Sequence, residues 1–111
     1  MPNKNYIKGR AFEYTIKKKL EAEGWTVWRT PGSKSKTDLI CIKKMYYFES
    51  LDYNHTDVQE MTVVKFVQCK SGSARMSKKD KAELLELSES VGAEAMYAYK
   101  PKGRIIIEEL S

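Results

Sequence analysis

The stretch VVKFVQCKSG, Val63 to Gly72, decides how this chain folds and where its chemistry lies. Apolar and β-branched residues run up to Ser71-Gly72, the pattern of a strand closed by a turn. Strand side chains alternate between faces, so Gln68 and Lys70 point the same way, about 7 Å apart. An amide and an ammonium at the end of an apolar run call for an explanation, because polar groups buried without partners are costly.

The flanking segments frame that strand. Upstream, TDLICIKK (Thr37–Lys44) reads as a strand with Asp38, Ile40 and Ile42 on one face and Leu39 and Cys41 on the other. Between the two, the polar run ESLDYNHTDVQE carries the turn-favouring Asp52, Asn54 and Asp57. It is expected to form an elongated hairpin loop over Tyr46–Met61, leading into a strand Thr62–Lys70. At the N-terminus, Asn3 or Asn5 can cap a helix running to about Glu23 and stopped by Gly24. Phe12, Ile16 and Leu20 form its apolar stripe, Glu13 falls about 20° beyond Leu20, and Arg10, Lys17 and Lys18 lie opposite. WTVWR (Trp25–Arg29) is a short strand followed by the loop TPGSKSK.

Beyond Gly72, Ser77 caps a second helix, with Asp80 in the capping-box position, ending near Val91 before Gly92. Its apolar positions are Ala82, Leu84, Leu85, Leu87 and Val91. AEAMYAY and RIIIEE close the chain as strands around a Lys-Pro-Lys-Gly turn. Trp25, Trp28, Tyr97 and Tyr99 are expected in the core. The order is α-β-β-β-α-β-β: an α/β domain over residues 1–111, with a mixed five-stranded sheet flanked by two helices.

Composition suits a small ionic domain. Of 111 residues, 41% are hydrophobic and 32% charged, with a net charge of +5. That excess favours polyanionic partners. No apolar run is long enough to span a bilayer, and the first residues lack the apolar core of a signal peptide, so a cytoplasmic protein without membrane contact is expected. Cys41 and Cys69 read as buried thiols, not a disulfide framework. His55 is the single histidine, so structural zinc is not indicated.

Glu13, Asp38 and Gln68 each stand where burial would favour carbon. The start of one hairpin strand faces the end of its partner, which sets Asp38 near Gln68 and Lys70. A helix packed over that sheet could bring Glu13 to the same spot. Each residue alone has an ordinary explanation: a strand-start cap, a solvated helix edge, an exposed strand end. Together, two carboxylates and an amide are hard oxygen donors that suit Mg²⁺ or Mn²⁺. A neighbouring lysine could stabilise charge during metal-assisted phosphodiester hydrolysis. Glu49 and Glu60 are weaker candidates, which would have to turn inward from the hairpin.

These residues resemble the PD-(D/E)XK nuclease superfamily and, within it, the archaeal-type Holliday junction resolvases. KGRAFEYTIKKKLEAEGWTVWRTPGS is similar to that family's opening, with Glu13 four positions after Gly9. TDLICIK stands where the family has Pro-Asp and an apolar strand, VQCKSG where it has Glu-x-Lys, and MSKKDKAELLELSESVGAEAMYAYK resembles its next helix and strand. The resemblance implies a restriction-endonuclease-like fold and a metal-dependent endonuclease. Glu13, Asp38 and Gln68 would then bind Mg²⁺ (or Mn²⁺), Lys70 would orient the attacking water, and Ser33 would lie near the scissile phosphate. Arg29 and the basic residues Lys8, Arg10, Lys34, Lys36 and Arg75 would contact DNA, Lys8 and Arg10 with help from the positive end of the first helix. The partners implied are branched double-stranded DNA and a second copy in a two-fold homodimer, with no small-molecule cofactor.

The chain departs from the pattern in three places. Thr37 replaces the proline before Asp38, the Tyr46–Met61 segment is longer, and Gln68 replaces the second acid. The last leaves two alternatives: a DNA-binding module that keeps the nuclease fold without catalysis, and a related nuclease acting on other branched or duplex DNA.

Overall fold

Phe12, Ile16 and Leu20 recur every fourth residue, and α1 (Lys4–Ala22) lays that stripe on the sheet with all three side chains buried. The coordinates are a computed structural model that describes residues 4–30, 36–50, 52–54, 56–72 and 75–110. Gly24 stops the helix with φ of 97°, a left-handed conformation in which the Trp25 amide donates to Leu20 O at 3.1 Å. Asn5 lies inside the helix and so does not cap it, and Asn3 falls outside the described residues. Because the helix begins at Lys4, Lys8 and Arg10 sit beyond its four free amides. They keep their charge but lack the dipole advantage expected of them.

Five strands follow in spatial order β1-β2-β3-β4-β5: β1 (Thr26–Arg29), β2 (Leu39–Ser50), β3 (Thr56–Lys70), β4 (Glu94–Tyr99) and β5 (Ile106–Glu109). Neighbours are antiparallel except β3 and β4, which run parallel and are joined through α2 (Lys78–Val91). The α/β class, the mixed sheet and the element order are those expected from the sequence. The Ser77 hydroxyl caps α2 by accepting from Asp80 N at 3.1 Å, and Gly92 ends it with φ of 73°.

Each helix seals one face of the sheet. Phe12, Ile16 and Leu20 pack with Val27, Leu39, Cys41, Val67, Cys69, Met96 and Ala98 under α1. Leu84 packs with Phe66 and Ala95 under α2, flanked by Ile40, Val64, Leu85 and Leu87. The odd-numbered side chains of β2 therefore face α1 and the even-numbered ones face α2, as alternation requires. Trp28, expected in the core, is 51% exposed at the sheet edge, and of the apolar positions of α2 Val91 is 59% exposed at its end.

The expected loop over Tyr46–Met61 is instead two long strands. Pairing continues from Ile42↔Val64 out to Ser50↔Thr56, leaving only residues 51–55 to turn the chain. Tyr46, Tyr47, Phe48, Val58 and Thr62 are good strand formers, and they outweigh the polar residues between them. The turn signals hold only at the true tip, where Asn54 N donates to the Asp52 carboxylate at 2.8 Å. Asp57, read as a turn residue, lies within β3 opposite Glu49. Since β1 pairs with β2 only as far as Ile42 and β4 with β3 only from Lys65, the outer part of this hairpin projects as a two-stranded ribbon. The molecule measures 63 × 28 × 26 Å with a radius of gyration of 16.6 Å. A compact chain of this length would have about 13 Å.

Candidate active site

Three strand ends converge on Asp38. It occupies a bend one residue ahead of β2, where the sequence pattern put it inside the strand. Its backbone N–H donates to Val67 O and its carbonyl accepts from Thr30 N, both at 3.0 Å. Its carboxylate Oδ2 accepts from Cys69 N at 2.8 Å. The preceding Thr37 is buried, its hydroxyl donating to Leu39 O at 2.8 Å and reaching Val67 O at 3.2 Å, while the Thr30 hydroxyl donates to Thr37 O. Thr37 thus secures the approach to Asp38 by hydrogen bonds that a proline could not make. Thr30 does not stand out in the sequence, and Thr37 does so only as the residue that replaces a proline.

Burial pushes the Asp38 carboxyl above its usual range, the Cys69 N–H pulls it back, the Glu13 charge raises it further, and Lys70 and Arg29 lower it. Glu13, Lys70 and Arg29 therefore all act on Asp38 through space. Glu13, half-buried at the edge of the α1 stripe, reaches the site across the sheet end. Its Oε2 accepts from both Arg29 Nη2 at 2.9 Å and Arg29 Nε at 3.0 Å. In this state Arg29 is a partner of Glu13, and a role on phosphate requires that ion pair to open.

Gln68 lies on β3 between Val67, whose carbonyl receives the Asp38 N–H, and Cys69, whose N–H holds the Asp38 carboxylate. Its Oε1 is buried without a hydrogen-bond partner. Leaving such an acceptor unsatisfied costs about 1–3 kcal/mol. Val67 and Cys69 pack under α1, so by alternation Gln68 points to the α2 side of β3, where it lies opposite Tyr97, whose hydroxyl is also buried without a partner. An amide oxygen is nonetheless a hard donor of the kind a divalent cation takes. Among the described residues no cluster of three or more Asp, Glu, His or Cys side chains could hold a metal. Two carboxylates and one amide, were they brought together, are donor types that fit Mg²⁺ or Mn²⁺ with several waters retained.

Burial pushes the Cys41 thiol up to about 11, and burial with the nearby Asp38 and Glu13 charges pushes Cys69 higher still. Both stay protonated near neutrality and are free and buried, as expected.

The remaining sequence candidates are scattered. Ser33 and Lys34 lie outside the described residues. Lys36 is exposed two residues before Asp38, Lys8 and Arg10 are exposed on α1, and Arg75 lies over the Tyr99 ring at 5.9 Å. Glu49 and Glu60 stand exposed on the ribbon, Glu60 bound to Lys44 at 2.7 Å, and neither reaches the sheet end. A groove of about 320 Å³ also lies elsewhere, at the C-terminal end of α1 between Trp25, Met96, Ile105 and Ile107.

The match to known families follows this architecture. A family model described as archaeal Holliday junction resolvase (Hjc) matches residues 4–110. The chain belongs to the archaeal Holliday junction resolvase family. Among solved structures, Hjc from Archaeoglobus fulgidus, a Holliday junction resolvase from an archaeal hyperthermophile, superposes with a TM-score of 0.63 at 18% identity, covering 92% of this chain and 72% of that one. At that identity the likeness establishes the resolvase fold. No curated protein matches the chain. Among the described residues no helix is long and apolar enough to cross a membrane.

Proposed function

We propose that this chain is a metal-dependent, structure-selective endonuclease that cuts four-way DNA junctions by phosphodiester hydrolysis. The observation that carries this reading is the meeting of Glu13, Lys70 and Arg29 around the buried Asp38 carboxylate at one sheet end. Glu13, Asp38 and Gln68 would hold Mg²⁺ or Mn²⁺, which supplies Lewis-acid stabilisation of phosphate charge and a more acidic water. Asp38, pinned by three backbone hydrogen bonds, gives the site a fixed origin. Lys70, two residues beyond Gln68 on the same strand face, orients the attacking water and offsets charge building on the phosphate. Arg29 would contact a phosphate oxygen, which requires its pair with Glu13 to open, and Ser33, Lys8, Arg10, Lys34, Lys36 and Arg75 would be further contacts to the backbone. The substrate is branched double-stranded DNA in the cytoplasm, read by shape and phosphate position, and a two-fold homodimer presents two sites for paired nicks.

A second reading, a DNA-binding module without catalysis, is favoured by the neutral amide at position 68 and by the double hydrogen bond that ties up Glu13. One assay separates the two. Labelled four-way junction, linear duplex and single strand are incubated with Mg²⁺, with Mn²⁺ and with EDTA. Symmetric, metal-dependent nicks confined to the junction are expected; tight binding with no cleavage in either metal would leave only the module, and cleavage of duplex alone would point to a different nuclease.

A further inference from the structure

Among the described residues, the ribbon formed by β2 beyond Ile42 and β3 before Lys65 has no sheet neighbour on either edge. From its base to Ser50 it reaches about 26 Å, eight residues at about 3.3 Å each. A two-stranded ribbon in water is marginal by itself, and this one carries apolar side chains in the open. On the face continuous with the α2 side, Phe48 is 74% exposed directly opposite Val58 at 52%, with Tyr46 at 60% beside them. The other face exposes Met45, Met61 and Tyr47. Such a surface is built to be covered.

Charge says by what. Residues 43–64 hold Lys43 and Lys44 against Glu49, Asp52, Asp57 and Glu60, a net of −2 on a chain of +5, so the remaining residues carry +7. Glu49 and Asp57 lie directly opposite each other across the two strands, a like-charge pairing that destabilises an isolated hairpin. An acidic arm repels the phosphate backbone, which leaves a basic protein surface as the complementary partner. The body of this chain is such a surface, and it contains a seat: the groove at the C-terminal end of α1, with Trp25, Met96, Ile105 and Ile107 as its apolar walls and Lys19, Lys65 and Glu23 as its charged lining, Lys65 being paired with Glu94 at 3.7 Å. Lys65 also lies over the Trp25 ring at 4.8 Å, holding its ammonium at the groove mouth.

We propose that the ribbon is a dimer arm, whose exposed Tyr46–Phe48–Val58 face docks into the Trp25–Ile107 groove of a second copy while its acids meet that copy's basic surface. The exchange is isologous, each arm filling the other copy's groove. Each aromatic ring covers about 150–250 Å², so two arms with their two seats reach the roughly 1,200 Å² at which specific interfaces begin. This rests on the homodimer reading above and adds the surface that makes it.

The test places a photoreactive p-benzoylphenylalanine at position 48 of the full chain, alongside sedimentation of the unaltered protein and of the double variant Tyr46→Ser, Phe48→Ser. All of these substitutions are at exposed sites, and circular dichroism checks that each protein is folded. Irradiation is expected to give a covalent dimer with adducts in peptides containing Trp25 or Ile105–Ile107. The double variant and, separately, Glu49→Lys with Asp57→Lys are expected to raise the dimer dissociation constant at least tenfold. An unaltered protein that sediments as a monomer at tens of micromolar would overturn both the dimer and the arm. A dimer of unchanged affinity in the double variant, or adducts only outside the groove or only on added DNA, would overturn the arm alone.

Discussion

Asp38 is held ionised at a cost to stability. Burial and the Glu13 charge raise its carboxyl in the folded chain above the usual aspartate value, so its ionised form is disfavoured by folding. Its contribution to stability is therefore most favourable below the usual aspartate value and diminishes as pH rises through the raised one. Asp38→Asn keeps an oxygen for the Cys69 N–H and removes the charge, and it is expected to raise the melting temperature of the metal-free protein at pH 7 while abolishing Mg²⁺ binding and junction cleavage. Thermal melts in EDTA with calorimetric Mg²⁺ titration check both halves. In the unaltered protein, Mg²⁺ affinity should begin to fall, as pH drops, above the ordinary aspartate range. Gln68→Glu adds a charge where Oε1 is already buried and unpartnered, so it is expected to tighten Mg²⁺ binding severalfold; an unchanged titration would mean that position 68 is not a ligand. These positions were legible because polar residues interrupt apolar patterns there. The Arg29–Glu13 pair was not: its partners lie on different elements, and only packing of α1 against β1 brings them together.

At the scale of elements, helix ends were read most closely, because caps are local chemistry. Ser77 and Gly92 bound α2 as their side chain and backbone dictate. Gly92 sits in the left-handed region, and a methyl group added to it would meet no atom within 4 Å, so the effect of Gly92→Ala is purely conformational. It is expected to cost about 1–2 kcal/mol in urea unfolding with no loss of junction binding. The β2–β3 hairpin was legible in its base and misjudged in its length. Asp52, Asn54 and Asp57 are equal as turn signals, and what separates them is cross-strand register, which places Asp57 opposite Glu49 and leaves Asp52 and Asn54 at the tip. Trp28 was misplaced for a related reason: β1 is an edge strand, and its outward face has no helix over it.

Over the whole molecule, charge is divided between a basic body and an acidic arm, a partition that the net value of +5 conceals. If the body carries the DNA contacts, junction affinity is expected to fall at least about tenfold between 50 and 200 mM NaCl, as counterion release requires; fluorescence anisotropy across that range measures the slope. The anchoring of Asp38 has a consequence for how the protein comes into being. Its hydrogen-bond partners are Thr30, Val67 and Cys69, so the site depends on contacts spanning about thirty residues of chain. Closing such a loop precedes any reward from the contacts it makes. A nascent or partly unfolded chain that has not yet paired β3 with β2 has its carboxylates but no geometry to aim them. If the chain cuts DNA as proposed, that activity and completed folding arrive together.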